Sequence, residues 1–82
     1  MKYRKKPIIV DAWQFKPEDH DDLEEINEHG VYKDSIGSKT GWLVDTLEGN
    51  HEVTPNDWII TGVKGEHYPV KPDIFEMTYE KA

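Results

Sequence analysis

Turn-forming residues divide the second half of the chain into short apolar segments, and their spacing constrains the fold more than any other feature. The turns are centred on four dipeptides, Glu48-Gly49, Pro55-Asn56, Lys64-Gly65 and Pro72-Asp73. Turn signals at intervals of about 8–12 residues between short apolar runs are typical of antiparallel strands joined by hairpins. No apolar run exceeds three residues, so we expect neither a membrane span nor the core of a signal peptide.

The apolar segments between these turns predict several short strands. Residues 7–15 are rich in β-branched and aromatic side chains and predict a first strand. From residue 42 to residue 80 we expect β structure throughout. Phe75, Met77 and Tyr79 alternate with polar residues, which predicts a last strand with one apolar face. We assign Trp58, Phe75 and Tyr79 to the core, because large aromatic side chains in a small domain usually lie there.

Acidic residues are concentrated in one segment of the first half. The formal net charge is −7, and seven of the 17 acids lie in residues 18–28, which contain no Lys or Arg. Pro17 suits the first turn of a helix, and Gly30 suits its C-terminal end. The segment therefore predicts a helix over about residues 17–29. The acids of this segment that we expect to face a partner are Glu18, Asp21, Asp22, Glu25 and Glu28.

Residues 30–41 contain three glycines and two serines, and we expect a flexible loop there. The whole chain is then a single α+β domain. It has five or six short strands in a strongly bent, mainly antiparallel sheet or partial barrel, with the acidic helix after the first strand. Leu, Ile, Val and Phe supply only 18 of the 82 residues, so the core is thin. A thin core and an open sheet edge together favour self-association, with a homodimer as the simplest form.

The run from Pro55 to Glu80, PNDWIITGVKGEHYPVKPDIFEMTYE, together with the opening KYRKKP at residues 2–7, resembles a family of small phage and prophage proteins without an established activity. The resemblance covers most of the chain. Asn56 stands where these relatives usually have Gly, and Val70 stands where they often have Cys. The resemblance implies a phage accessory protein in the host cytoplasm, during infection or from a prophage, and it implies no catalytic residue.

Several catalytic chemistries find little support in the residues. The absence of Cys excludes a thiol nucleophile and a disulfide scaffold. Residues 37–40, Gly-Ser-Lys-Thr, lack the spacing of a phosphate-binding loop. Neighbouring acids in residues 19–22 point around a helix and cannot converge on one metal ion. His67 with a carboxylate could act as a general acid and base, and a surface role for His67 is the simpler interpretation. We expect no metal and no cofactor.

Three functional hypotheses remain open. The first is a non-enzymatic module whose acidic helix binds a host or defence protein. The second is a small-ligand binder or sequestering oligomer for a nucleotide-like molecule, and the third is a small enzyme. We do not expect nucleic acid or a membrane as partners. Trp42, which follows the Gly-rich segment, is a candidate for the rim of a pocket or a subunit contact. The other candidate binding residues lie at or near the turns of the second half, where loops commonly carry function: Lys64, Glu66, His67, Tyr68, Lys71 and Asp73.

Overall fold

A computed structural model of the protein describes residues 1–4, 8–18, 23–36 and 39–81. These residues form two antiparallel three-stranded sheets and two short helices, so the fold is α+β with mostly sheet. The elements in chain order are β1 (Asp11–Gln14), α1 (Leu23–Glu28), β2 (Val31–Ile36), β3 (Lys39–Thr46), β4 (Gly49–Val53), β5 (Trp58–Thr61), β6 (His67–Val70) and α2 (Pro72–Thr78).

The first sheet has the order β1-β5-β6, with β5 at its centre. Ile59 and Ile60 on β5 are both buried, which explains why this strand is the most apolar segment of the sequence. Successive side chains point to opposite faces, so Ile59 faces one side of the sheet and Ile60 the other. Both faces of the first sheet are therefore covered at its centre.

The second sheet is a meander of β2, β3 and β4 joined by two hairpins. Val31 lies opposite Val44 in the β2–β3 pairing, and both are completely buried. The core lies between the two sheets and below α1, since it takes residues from all three. Its buried apolar members are Phe15, Ile26, Val31, Val44, Val53 and Ile59, with Trp13 and Trp42 packed against them.

A buried carboxylate holds the β4–β5 turn in place. Asp57 is 1% exposed and accepts hydrogen bonds from the Thr54 backbone N–H at 2.9 Å and from the Thr54 hydroxyl at 3.1 Å. Asn56 adopts φ of 77°, the left-handed conformation that Asn tolerates better than most residues. Asn56 can therefore occupy this position of the turn without a glycine.

The long acidic helix that the sequence predicts over residues 17–29 is not found in full. Within the described residues only Leu23–Glu28 is helical, and residues 17 and 18 form a turn. Ile26 is the single buried residue of α1, while Leu23 remains 53% exposed. A single buried side chain can stabilise only a short helix, because short helices depend on tertiary packing. Asp19, Asp21 and Asp22 lie outside the described residues.

The loop that we expected over residues 30–41 is instead the β2–β3 hairpin, apart from residues 37 and 38, which lie outside the described part. Glycine and serine content favoured a loop, and cross-strand pairing overrides that preference here. Tyr32 and Lys33 pair with Leu43 and Trp42 of β3, and the Tyr32 hydroxyl donates to the Asp45 carboxylate at 2.6 Å. The first strand is also shorter than residues 7–15.

The predicted last strand is wrong, because the segment forms α2. Pro72 occupies the first turn, where its fixed φ suits a helix and its missing N–H costs nothing. Phe75 stacks on Trp58 of β5 with ring centroids 4.0 Å apart, and Tyr79 stacks on Phe75 at 5.1 Å. Residues four apart face the same side of a helix, whereas Met77 between them is 83% exposed. The apolar residues of this segment therefore fit the spacing of a helix as well as the alternation of a strand.

The strands form neither one continuous bent sheet nor a closed barrel, because the two three-stranded sheets do not pair with each other in the described part of the chain. Neither α1 nor α2, the helices of the described residues, has the length and apolar character to cross a membrane.

Candidate functional site

An open cleft of about 390 Å³ lies between β6 and the β3–β4 turn. We call it the β6 cleft. One wall comes from the turn and the start of β4, and the other from the residues that lead into and form β6. Its lining residues are Thr46, Leu47, Glu48, His51, Glu66, His67, Tyr68 and Pro69.

The β3–β4 turn is held by the hydroxyl of Thr46. This hydroxyl donates to the Gly49 carbonyl at 2.8 Å and accepts from the Glu48 backbone N–H at 3.1 Å. Gly49 adopts φ of 113°, a backbone conformation that residues with a Cβ rarely adopt. The turn thus holds Glu48 and the 88%-exposed Leu47 at the rim of the cleft.

The opposite wall begins at a tight β5–β6 turn that fixes Glu66. The Gly65 N–H donates to the Gly62 carbonyl, and the Gly62 N–H donates to the Glu66 carbonyl at 2.8 Å. The Glu66 carboxylate folds back over Gly62 and accepts a hydrogen bond from the Lys64 N–H at 3.0 Å. A side chain at position 62 would collide with this carboxylate. Glu66 is therefore positioned before any ligand arrives.

His67 is fixed on two sides. Its Nδ1 lies 3.1 Å from the Thr61 hydroxyl on the neighbouring strand. Its ring lies against the backbone of Gly30, where a Cβ would come within 2.7 Å of the imidazole Cδ2. Gly30 adopts φ of 85° just after α1, the usual position of a C-terminal glycine cap. Gly30, two residues after the acidic segment, therefore contacts a residue that lines the β6 cleft.

Tyr68 borders the cleft through β6, and its hydroxyl lies 3.4 Å from the hydroxyl of Tyr79, the residue that follows α2. The hydrogen bond with Tyr79, followed by partial burial, raises the pKa of Tyr68 to about 12. The tyrosine is therefore neutral at physiological pH and contributes hydrogen bonding rather than charge.

Carboxylates dominate the charge of the β6 cleft. Glu48 and Glu66 line it together with His51 and His67, and no Lys or Arg of the described residues is among its lining groups. A cleft lined by one sign of charge attracts ligands of the opposite sign. This arrangement suits an ammonium or guanidinium group and disfavours a phosphate.

The seven binding residues expected from the sequence divide into two groups. Glu66, His67 and Tyr68 line the β6 cleft together. The other four lie outside its lining. Trp42 packs edge-on against Phe15 at 5.2 Å under the Lys33 ammonium, Lys64 is exposed in the β5–β6 turn, Lys71 pairs with Asp57, and Asp73 is exposed in α2.

Sequence reasoning missed the wall formed by the β3–β4 turn and also missed Pro69 of β6. Thr46, Leu47, Glu48 and Pro69 were not singled out for binding, although the Glu48-Gly49 turn was evident. The cleft also brings His51 of β4 into one lining with His67 of β6. Only the packing of the second sheet beside β6 makes these residues neighbours.

The acidic segment is described only in part. Glu18 is exposed in a turn, Glu28 is exposed at the end of α1, and Glu25 is half-buried. Asp21 and Asp22, which we also expected to face a partner, lie outside the described residues. Across residues 1–4, 8–18, 23–36 and 39–81, no group of three or more His, Asp or Glu side chains could hold a metal ion.

Comparison of the chain with known protein families, with curated proteins and with solved structures gave no match in any of the three.

Proposed function

We propose that this protein is a phage accessory protein that acts as a binding module, and that its β6 cleft takes a basic segment of a host or defence protein. The charge of the cleft carries the proposal: Glu48 and Glu66 stand on opposite walls, and no Lys or Arg of the described chain accompanies them in the lining. The phage context comes from the resemblance of residues 55–80.

The position of α1 supports the same choice of partner. Glu28 is exposed at the end of this helix, and Gly30, two residues later, contacts the His67 ring of the cleft. An approaching cationic segment would therefore meet negative charge on α1 and in the cleft. Such a distribution accelerates association with a basic partner, and the acceleration falls as salt screens the charges.

A fluorescent arginine-rich nonapeptide is a suitable probe, with a peptide carrying Glu at each Arg position as its counterpart. We expect fluorescence anisotropy to detect binding of the basic peptide alone, and the binding should weaken when salt rises from about 0.05 to 0.5 M. Glu48→Gln and Glu66→Gln should each weaken it about two- to fivefold, the range for partly exposed ion pairs.

Glu76→Gln is the matched control, because it removes the same charge from an exposed position on α2 outside the cleft lining. Equal weakening by all three variants would mean that only net charge attracts the peptide, and the cleft would then not be the site. Capture of host proteins by the wild type and by the Glu48→Gln, Glu66→Gln double variant would then identify the partner as a protein lost from the second sample.

The alternative is a nucleotide-like small ligand. The size of the β6 cleft, about 390 Å³, lies within the range of small-molecule sites. The charge pattern argues against a phosphate, because Glu48 and Glu66 would repel it and Lys71 already pairs with Asp57. A rise in Tm with one member of a nucleotide panel, absent in His67→Ala, would favour the alternative.

A further inference from the structure

A second, larger cavity lies on the opposite side of the first sheet, beneath α2. It is an apolar groove of about 550 Å³ that runs beside β1. The aromatic stack of Trp58, Phe75 and Tyr79 lines one side of the groove. Ile8, Ile9 and Val10 line the other side. Ile9 is 81% exposed and Ile8 is 56% exposed, so the groove carries apolar surface that the described chain leaves uncovered.

The strand beside this groove has an open edge. Within the described residues β1 pairs with β5 alone. Phe15 donates to the Asp57 carbonyl and accepts from the Asn56 N–H, so its backbone groups point to the β5 side. Alternate residues of an antiparallel strand direct their groups to opposite edges. The N–H and C=O of Ala12 and Gln14 therefore point away from β5, toward the outer edge.

The other edge of the sheet is built differently. On β6, Pro69 lies opposite Ile59 and has no N–H to offer to a further strand. Edge strands commonly carry proline as protection against unwanted pairing. The described part of β1, Asp11–Gln14, has no such proline. Strand pairing at the edge beside the groove is therefore unobstructed, whereas pairing at β6 is obstructed.

The charges around the groove suit a second copy of the same chain. Its lining contains one acid and one base, Glu80 and Lys81, and is otherwise uncharged. In a two-fold symmetric contact the same patch meets itself, so Glu80 of one copy can meet Lys81 of the other. The excess negative charge lies elsewhere, in the acidic segment and the β6 cleft, so two copies can meet here without strong repulsion despite the net charge of −7.

We infer that two copies of this chain associate through antiparallel pairing of their β1 edges, which joins the two first sheets into one six-stranded sheet. The pairing satisfies the outward N–H and C=O groups of Ala12 and Gln14. It also brings the two apolar grooves together on one face, so that Ile8 and Ile9 are withdrawn from water. The β6 clefts remain open at the far edges of the joined sheet.

Sedimentation velocity of the full chain tests the inference directly. We expect a reversible monomer–dimer equilibrium with a dissociation constant below about 100 μM. Ala12→Pro removes an N–H that the alternation along β1 directs away from β5. Ile9→Glu places a charge in the groove. Each should weaken dimerisation about tenfold or more, the scale for an unpaired group in an interface. Val63→Glu is the matched control, since Val63 is a 71%-exposed apolar residue of the β5–β6 turn outside the groove.

Amide hydrogen exchange of the wild type is a second test of the dimer, and it does not depend on how the variants fold. The Ala12 and Gln14 amides should exchange more slowly as protein concentration rises, because dimerisation protects them. A protein that stays monomeric at about 100 μM overturns the inference. So does a dimer whose Ala12 and Gln14 amides exchange equally fast at every concentration, and so does equal weakening by Val63→Glu and Ile9→Glu.

Discussion

The Lys71 ammonium lies 3.0 and 3.1 Å from the two carboxylate oxygens of Asp57, and the same ammonium donates to the Thr54 hydroxyl at 2.9 Å. Asp57 is buried, whereas the Lys71 side chain is 57% exposed. The pair joins the β4–β5 turn to the residue that precedes α2. It explains why Lys71, which we considered for ligand binding, already has a partner within the chain.

Replacing Lys71 by Met should lower the free energy of unfolding by about 1–3 kcal/mol, because the buried carboxylate loses its counter-charge while Thr54 still donates to it. The exposure of Lys71 keeps the loss below that of a fully buried pair. Urea unfolding measures the change. Lys64→Met, at an exposed turn position, should change stability by less than about 0.5 kcal/mol, and an equal loss in both variants would contradict the role of the Asp57–Lys71 pair.

Gly30→Ala should destabilise the protein and disturb His67. An alanine in the left-handed region costs about 1–2 kcal/mol, and here its Cβ would also meet the imidazole at 2.7 Å. Gly49→Ala carries the same kind of strain at φ of 113° but has no atom within 4 Å of the added Cβ. The larger loss should therefore occur in Gly30→Ala, with a shift of the His67 ring resonances that Gly49→Ala does not show. Equal losses of stability in the two variants would mean that the His67 ring does not contact Gly30.

Alkaline titration of the wild type and of Tyr79→Phe should identify the Tyr68 phenol. Its pKa of about 12 means that the folded chain holds the phenolic proton more tightly than the unfolded chain does. The contribution of this proton to stability is therefore present below about pH 10 and is lost as the pH rises toward 12. Tyrosinate absorbance should show a late-titrating group that moves to lower pH in Tyr79→Phe. An unchanged titration in that variant would exclude the Tyr68–Tyr79 hydrogen bond as the cause.

Phe75→Ala should release α2 from the first sheet, because it removes the ring between Trp58 and Tyr79. For a half-buried aromatic residue we expect a loss of about 2–3 kcal/mol, near the lower end for such truncations, and a red shift of Trp58 fluorescence. Met77→Ala is the control on the same helix, since Met77 is 83% exposed. A similar effect of both substitutions would mean that helix propensity, and not stacking, is being measured.

Part of the lining of the β6 cleft could be predicted where turn chemistry determines the local geometry. Glu66, His67 and Tyr68, which follow the Lys64-Gly65 turn, line one cleft, and their role in binding stays a prediction. Lys71 and Trp42 carry side chains equally suited to binding, yet they pack against Asp57 and Phe15. Their contacts depend on residues 14 and 27 positions away in the sequence, which no local pattern specifies.

The sequence by itself determined a small α+β chain with short antiparallel strands, because turn residues limit strand length and β-branched and aromatic residues favour the pleated surface between them. Tertiary structure decided how those strands are divided into two sheets, and it decided that residues 72–78 form a helix. Phe75 of this helix and Tyr79, which follows its last residue, satisfy both a period of two and a spacing of four. Only the Trp58 ring, supplied by a strand distant in sequence, makes the helical spacing the one that buries them.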